Sequence, residues 1–486
     1  MSLESLPAPR RGGLVLCGVL LTSSAYFLST GLTGFRPLVW VAPVPVLLLA
    51  FNSSVRSAAT MACAAYFLGS LNLLPYLASL APIAVVIIAL ALPAVAFAIS
   101  VLAARYVLLR CRAWPAVFVF PAAWVTWEYL LATLSPHGTF GNLAYTQTDF
   151  LALMQVASLT GVWGVSFLLT LIPASLAVAW QLRARGRQSA FALVITGVLF
   201  ATVLGWGWLR LTRTEAGAAL TVGLAATDTT IRYFDTDQAR DALPVVEDYA
   251  RRIGALAARG ATVVVLPEKF VGVAPDYAGE VYRLLGAAAR DNHVTVVAGL
   301  NRTGRGPQRN MAVIFAPTGK VLAEYDKTHL LPGFEAQYKP GAETVVVPIA
   351  GASAGVAICK DMDFPQPAAP YGQAGVGVLL VPAWDFVRDG RLHGRMALVR
   401  GIESGFAVAR SAQQGLLTIS DPKGRIIVED SSTRLPETLL VGAVQPGPGR
   451  TLYSRAGDWF AWLNLLLLTL IMLAASLRSS RTNELR

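Results

Sequence analysis

Three side chains in the hydrophilic part of the sequence supply the parts of an acyl-transfer site. Cys359 lies in the run Gly355-Val-Ala-Ile-Cys-Lys-Asp-Met-Asp-Phe-Pro365, after a short apolar stretch that reads as a buried strand. Upstream, Val263-Val-Val-Leu-Pro-Glu268 and Val321-Leu-Ala-Glu-Tyr-Asp-Lys327 each end a strand-like run on a charged residue. A thiol with an ordinary pKa of about 8.5 is mostly protonated at neutral pH and needs a base or a cation beside it to attack. Glu268 suits the base, taking the thiol proton and returning it to a leaving group. Lys327 suits the oxyanion, together with a backbone N–H near Cys359, and its ammonium favours ionisation of both partners. Singly, each signal is weak. Pro-Glu at a strand end is commonly a turn, Asp-Lys after a hairpin a solvated corner, and an unpaired cysteine fills a core more often than it attacks.

The elements that would position them begin at Ala219, where short β-branched runs alternate with helical spacing. Strands are expected at 220–224, 261–266, 294–300, 312–315, 320–325, 344–348, 354–358, 377–381, 407–410 and 415–420, with helices at 245–258 and near 280–291. Ala316-Pro-Thr-Gly-Lys320 and Asp421-Pro-Lys-Gly-Arg425 read as hairpin connections. Interleaved strands and helices over this length make one α/β domain.

The rest of the chain is apolar. Of 486 residues, 55% are hydrophobic and 14% charged, against about 25% charged in soluble proteins. Eight stretches reach or approach the roughly 20 apolar residues of a membrane helix: 13–30, 37–51, 57–80, 82–104, 114–134, 155–181, 189–210 and 459–477. The second is short and carries Pro43 and Pro45, and no small-residue cleavage site follows the first. The net charge of +11 sits in short loops, which fits membrane topology better than nucleic-acid binding. With the N-terminus inside, Arg10, Arg11, Arg56, Arg105, Arg110, Arg112, Arg183, Arg185, Arg187, Arg478, Arg481 and Arg486 are cytoplasmic, whereas the opposite short loops hold only Arg36. The organisation expected is a membrane domain of about seven helices (1–210), an extramembrane catalytic domain (211–450), and a last helix with a cytoplasmic tail (451–486). Glu128 within a span is either a polar contact beneath the catalytic domain or an interfacial residue. The four cysteines are too few for a disulfide framework. His329 and His393 lack triad spacing and read as structural. No metal-ligand cluster or phosphate-binding glycine loop occurs, so neither metal nor cofactor is expected.

Taken together, Leu-Pro-Glu268, Tyr-Asp-Lys327-Thr-His-Leu-Leu-Pro-Gly-Phe-Glu335 and Ile-Cys359-Lys-Asp-Met-Asp-Phe-Pro resemble the Glu-Lys-Cys triad of the nitrilase (carbon–nitrogen hydrolase) superfamily. That resemblance implies a four-layer α-β-β-α sandwich and a second functional carboxylate, Glu335. The membrane half is similar to one branch, the apolipoprotein N-acyltransferases, in Pro121, Trp124 and Glu128, in Gly141-Asn-Leu-Ala-Tyr-Thr-Gln147, in Gln155-Val-Ala-Ser-Leu-Thr-Gly-Val-Trp-Gly-Val-Ser-Phe167 and in Tyr453-Ser-Arg-Ala-Gly-Asp-Trp459. It implies a phospholipid acyl donor, a Cys359 thioester, a diacylglyceryl-cysteine lipoprotein acceptor, and a bacterial inner membrane with the catalytic domain on the periplasmic side. The chain departs from the branch on the substrate side: Cys359-Lys-Asp361 replaces Cys-Tyr-Glu, Pro382-Ala-Trp384-Asp-Phe386 keeps only the aromatics of its stretch, and Tyr233-Phe234 stands near a usual tryptophan. Tyr233, Trp384, Phe386 and Asp361 are therefore the expected substrate-binding residues. The soluble-like nucleophile motif keeps a membrane-tethered amidase using water as an alternative, with a non-catalytic binder as a third.

Overall fold

The computed structural model describes residues 7–484, apart from positions 33, 215–217, 305 and 435; Arg486 falls outside them. The strands, in chain order, are β1 (Leu220–Ala226), β2 (Val263–Val265), β3 (Gly272–Val273), β4 (Thr295–Arg302), β5 (Arg309–Phe315), β6 (Val321–Asp326), β7 (Val346–Ile349), β8 (Ala352–Val356), β9 (Val378–Trp384), β10 (Ala407–Gln413), β11 (Leu416–Ser420), β12 (Ile426–Ser431) and β13 (Thr438–Val444). They form a seven-stranded sheet in the order β13-β1-β2-β4-β5-β6, with β3 beside β4, and a six-stranded sheet in the order β12-β11-β10-β9-β8-β7.

Period-two alternation explains the layering. Val222 and Leu224 of β1 and Val297 of β4 point inward to meet Val378 and Leu380 of β9 from the other sheet. Their neighbours Ala225, Val296 and Ala298 point outward, into a core shared with helices Ala239–Ala258 and Ala278–Asp291. Leu379 and Val381 of β9 likewise meet Ala368, Tyr371 and Ala397 of helices Pro365–Gln373 and Gly390–Ser404. The result is the expected α-β-β-α sandwich. Both anticipated turns close hairpins: Gly319 N–H bonds the Ala316 carbonyl at 2.8 Å, and Gly424 N–H bonds the Asp421 carbonyl at 3.0 Å.

Among the described residues, seven helices are long and apolar enough to cross a membrane: Pro9–Ser29, Val55–Leu77, Ile83–Cys111, Trp114–Leu134, Val162–Gln181, Gly186–Thr212 and Trp459–Leu477. The stretch expected at 37–51 is not one continuous helix but a shorter, broken segment. Arg36–Trp40 is a 3-10 turn, and only Val44–Ala50 is α-helical after Pro43, because proline has no N–H to continue a ladder. This short segment still joins opposite ends of the helical bundle. Arg36 pairs with Asp149, which also takes Arg391 of the α/β domain at 3.0 Å. At its other end, Arg105 Nε bonds the carbonyls of Ala50 and Ser53 at 3.0 and 3.1 Å. Glu128 is buried and accepts the Leu143 N–H at 2.9 Å, tying down the loop that faces the α/β domain.

Helix Gly390–Ser404 belongs to both halves. Ala397 packs under β9, while Met396, Leu398, Val399 and Ile402 join the core of the membrane helices together with Tyr453. Near this seam the expected span 155–181 is interrupted: Gly161, at φ 66° and ψ −169°, separates a short turn from helix Val162–Gln181. Only glycine adopts that backbone comfortably, and a Cβ there would lie 2.5 Å from the Tyr453 ring. Gly161→Ala should therefore destabilise the protein by on the order of 1–3 kcal/mol, seen as a lower Tm of the full-length protein in detergent.

Candidate active site

The ends of three strands converge between the sheets. Glu268 lies three residues beyond β2, where its N–H bonds the Ala383 carbonyl of β9 at 3.2 Å and its carbonyl accepts Gln413 Nε2 of β10 at 2.9 Å. Lys327 directly follows β6, and its N–H bonds the Asn310 carbonyl at 2.9 Å. Its Nζ lies 2.8 Å from Glu268 Oε1 and 2.8 Å from Glu335 Oε2. Glu335 also takes Lys269 Nζ at 2.7 Å and the Leu331 N–H at 2.8 Å. Asn310 Nδ2 donates to Glu268 at 2.6 Å and to Glu335 at 2.8 Å. Two ammonium groups and two carboxylates thus form a neutral buried quartet, which is how a protein interior tolerates full charges. Lys269 and Asn310 escaped the sequence reading. A polar Asn310 opening the apolar run Met311–Phe315 was the signal available.

Cys359 follows β8 and opens a 3-10 turn through Asp363. Its φ of 45° is left-handed, a strained conformation for a residue with a Cβ, and turns the chain sharply at this cysteine. The Sγ–H donates to the Trp384 carbonyl at 3.2 Å. Burial and then the charge of Glu268 push the thiol well above its ordinary value, against the pull of Lys327 and Arg410. The resting sulfur is therefore a thiol, even though Lys327 alone would favour the thiolate. Burial opposes the charge of Lys327, but Glu268 and Glu335 outweigh it and hold the ammonium well above its usual range.

Asp361 corrects a sequence expectation. It is fully buried and its oxygens face the protein: they accept the N–H groups of Ile358 (3.0 Å), Thr328 (3.2 Å) and His329 (2.7 Å) and the Tyr325 hydroxyl (2.8 Å). The carboxylate welds the Cys359 turn to the chain just after Lys327 and leaves no face for substrate.

Among the aromatics, Trp384 and Phe386 border the site and Tyr233 does not. Lys269 Nζ lies 5.4 Å from the Trp384 ring, and Trp384 Nε1 bonds Gln414 at 2.9 Å. Phe234, not Tyr233, meets Trp384 edge-on at 5.0 Å. Tyr233 packs against the helix-covered core of the first sheet, its hydroxyl accepting from Arg232 at 2.8 Å. Phe386 pairs with the exposed Phe334 at 5.5 Å. The buried Arg410–Asp385 pair anchors the loop between Trp384 and Phe386.

A family model described as carbon–nitrogen hydrolase matches residues 225–451, and one described as apolipoprotein N-acyltransferase N-terminal domain matches residues 18–175. The molecule is thus a carbon–nitrogen hydrolase domain carried on a helical membrane domain. An apolipoprotein N-acyltransferase of Geobacter metallireducens is 28% identical, covering 93% of both chains. With both models matching in this arrangement, the chain is similar to the apolipoprotein N-acyltransferases over nearly its whole length. An (R)-stereoselective amidase of a Pseudomonas species is 29% identical over 37% of this chain and 73% of its own. The crystal structure of an amidase from a Nesterenkonia species, 20% identical, superposes with a TM-score of 0.40 over 48% of this chain and 92% of its own.

The quartet makes a pH prediction. Burial alone would raise Glu335, but Lys327 and Lys269 hold it at about 2, below its ordinary 4.5. A depressed carboxylate contributes stability above its unfolded value and loses it as pH falls through the folded one. Wild type should therefore exceed Glu335→Gln in Tm at neutral pH, and the gap should close between about pH 4.5 and about pH 2.

Proposed function

We propose that this protein moves a fatty acyl chain from a phospholipid, through a thioester on Cys359, to the N-terminal α-amine of a diacylglyceryl-cysteine lipoprotein. The observation that carries the reading is a single cysteine at the convergence of Glu268, Lys327 and Glu335, in a domain whose core is continuous with membrane helices through Gly390–Ser404. A domain acting on water-soluble amides has no need of such a mount. Both substrates of the proposed transfer are held in the bilayer by acyl chains, each buried CH₂ contributing about 0.8 kcal/mol.

Because the resting sulfur is protonated, attack and proton transfer are coupled. Glu268 takes the thiol proton as Sγ bonds to the ester carbonyl carbon, and the carbonyl oxygen becomes an oxyanion beside the Lys327 ammonium. Collapse breaks the ester C–O bond, and Glu268 returns the proton to the departing lysophospholipid oxygen. The lipoprotein amine then attacks the thioester, loses a proton to Glu268, and expels the sulfur, which regains it. Lys269 and Glu335 keep Lys327 charged and in place throughout. Trp384 and Phe386, with Phe234 and Phe334, form the apolar wall offered to acyl chains.

In cellular terms the reading puts the protein in the bacterial inner membrane, with residues 211–450 on the periplasmic side between the helices of 1–210 and the last helix of 451–486. The arginine bias supports this orientation, Arg105 and its bonded carbonyls lying opposite Arg36. The amidase alternative drew on Lys360 and Asp361 beside the nucleophile. Asp361 is committed to backbone N–H groups and Lys360 to Asp363 at 3.3 Å, so neither marks a water-accepting site.

Incubation of the full-length protein with phospholipid should give an intact-mass adduct of one acyl chain, absent in Cys359→Ala, that passes to a diacylglyceryl peptide. Glu268→Gln should slow adduct formation by about 10²–10⁴-fold. Turnover of small amides with no acyl adduct would instead support the amidase.

A further inference from the structure

Behind the nucleophile turn lies a second buried polar cluster that the chemistry above does not use. His393, in helix Gly390–Ser404, places Nδ1 3.1 Å from Asp363 Oδ1 and Nε2 3.3 Å from Asp389 Oδ2. A neutral imidazole has one N–H and would leave one of these buried carboxylates facing a lone pair; the imidazolium satisfies both. With Lys360 Nζ 3.3 Å from Asp363 Oδ2, two cations and two carboxylates again close into a neutral set. Burial alone would lower His393, but Asp363 and Asp389 outweigh it and raise it to about 10.

Each carboxylate holds a different loop of the site, and each is fastened to the membrane domain. Asp363 ends the 3-10 turn that Cys359 begins. Its carbonyl accepts the Thr139 N–H at 2.9 Å and hydroxyl at 2.6 Å. Asp389 Oδ1 accepts the Phe386 N–H at 2.8 Å, and its Oδ2 accepts the Tyr76 hydroxyl at 2.6 Å. Lys360 reaches His137 Nδ1 at 3.5 Å, and the Phe140 ring lies between Tyr76 and His393, 6.4 and 6.0 Å from them. The approach is close enough to require glycine at 138: at φ 54°, a Cβ there would lie 2.6 Å from the Asp363 carbonyl.

We propose that His393 is a positioning residue for acyl transfer: through Asp363 and Asp389 it clasps the nucleophile turn and the Phe386 loop together on a membrane-domain seat of Tyr76, His137, Thr139 and Phe140, so that Cys359 is set at the height of lipid esters. The clasp touches no reacting atom, and Glu268, Lys327 and Glu335 are held independently of it. It also accounts for the unusual Cys-Lys-Asp-Met-Asp neighbourhood: Lys360 and Asp363 are parts of the joint. The inference rests on the lipid-transfer reading.

The test compares two acyl donors on full-length wild type, His393→Gln and Tyr76→Phe in mixed micelles. One donor is a phospholipid, followed by acyl-adduct formation; the other is p-nitrophenyl acetate, which needs no register with a membrane. The phospholipid rate should fall about tenfold or more in His393→Gln and less in Tyr76→Phe, while the small-ester rate stays within about threefold of wild type in both. Wild-type phospholipid rates in both variants would overturn the clasp, as would parallel loss of both donors in Tyr76→Phe, which removes a single hydroxyl. If His393→Gln fails to fold, Tyr76→Phe alone decides between these outcomes. Wild type that accepts the small ester and never the phospholipid would overturn the transfer reading, and the clasp with it.

Discussion

An ammonium ion buried between two carboxylates is the constraint from which this architecture follows. Lys327 has almost no contact with solvent, and an unpaired charge there would be severely destabilising. Glu268 and Glu335 must therefore arrive together, and they come from segments far apart in the chain. Only convergence of strand ends can deliver them, which requires the first sheet to present the ends of β2 and β6 at one level. The second sheet must then bring the end of β8 opposite, and the links from Glu268 to Ala383 and Gln413 lace the two sheets at that point. The four layers are, in this sense, the housing of a few charges.

An α/β domain is seated on a membrane domain here through a helix that the two share. Helix Gly390–Ser404 is buried on nearly every side because it is core to both. Its first turn, with Asp389, Arg391, His393 and Arg395, carries the polar fastenings to Tyr76 and Asp149. Its later turns carry the apolar ones. Polar groups fix register and apolar groups supply area, a division also seen where Arg400 pairs with Glu403 and bonds the Tyr145 hydroxyl beneath the same helix.

Much of the fold was legible because its signals are local. The buried strands read as β-branched runs, and the charged residue after each marked where the chain leaves the sheet. What stayed hidden depends on three-dimensional burial. Helix Gly390–Ser404 has no apolar stripe to detect, since a helix packed all round needs none. Strands β12 and β13 were missed because they are partly exposed, with Ile426 and Ile427 facing outward. The stretch at 37–51 has the composition of a span, but Pro43 and Pro45 cut it short. Asp361 looked like a substrate contact because sequence shows only its adjacency to Cys359; its partners at 325, 328 and 329 appear only in the folded chain. Tyr233 and Phe234 were interchangeable by position, and the turn that holds them selects the phenylalanine.

The protonated resting state of Cys359 has a consequence beyond the order of proton transfers. Peroxides and disulfides react with thiolates, and susceptibility follows thiolate character and exposure. The only cysteine of its domain, half-buried, kept as a thiol by its surroundings and Glu268 and with its hydrogen turned to the Trp384 carbonyl, presents little thiolate to oxidants. In the proposed transfer, its nucleophilicity is released only when an acyl group is in place to receive it. In the proposed periplasmic orientation, where no cytosolic reductant can rescue a sulfenic acid, the site is shielded by the same electrostatics that would time its chemistry.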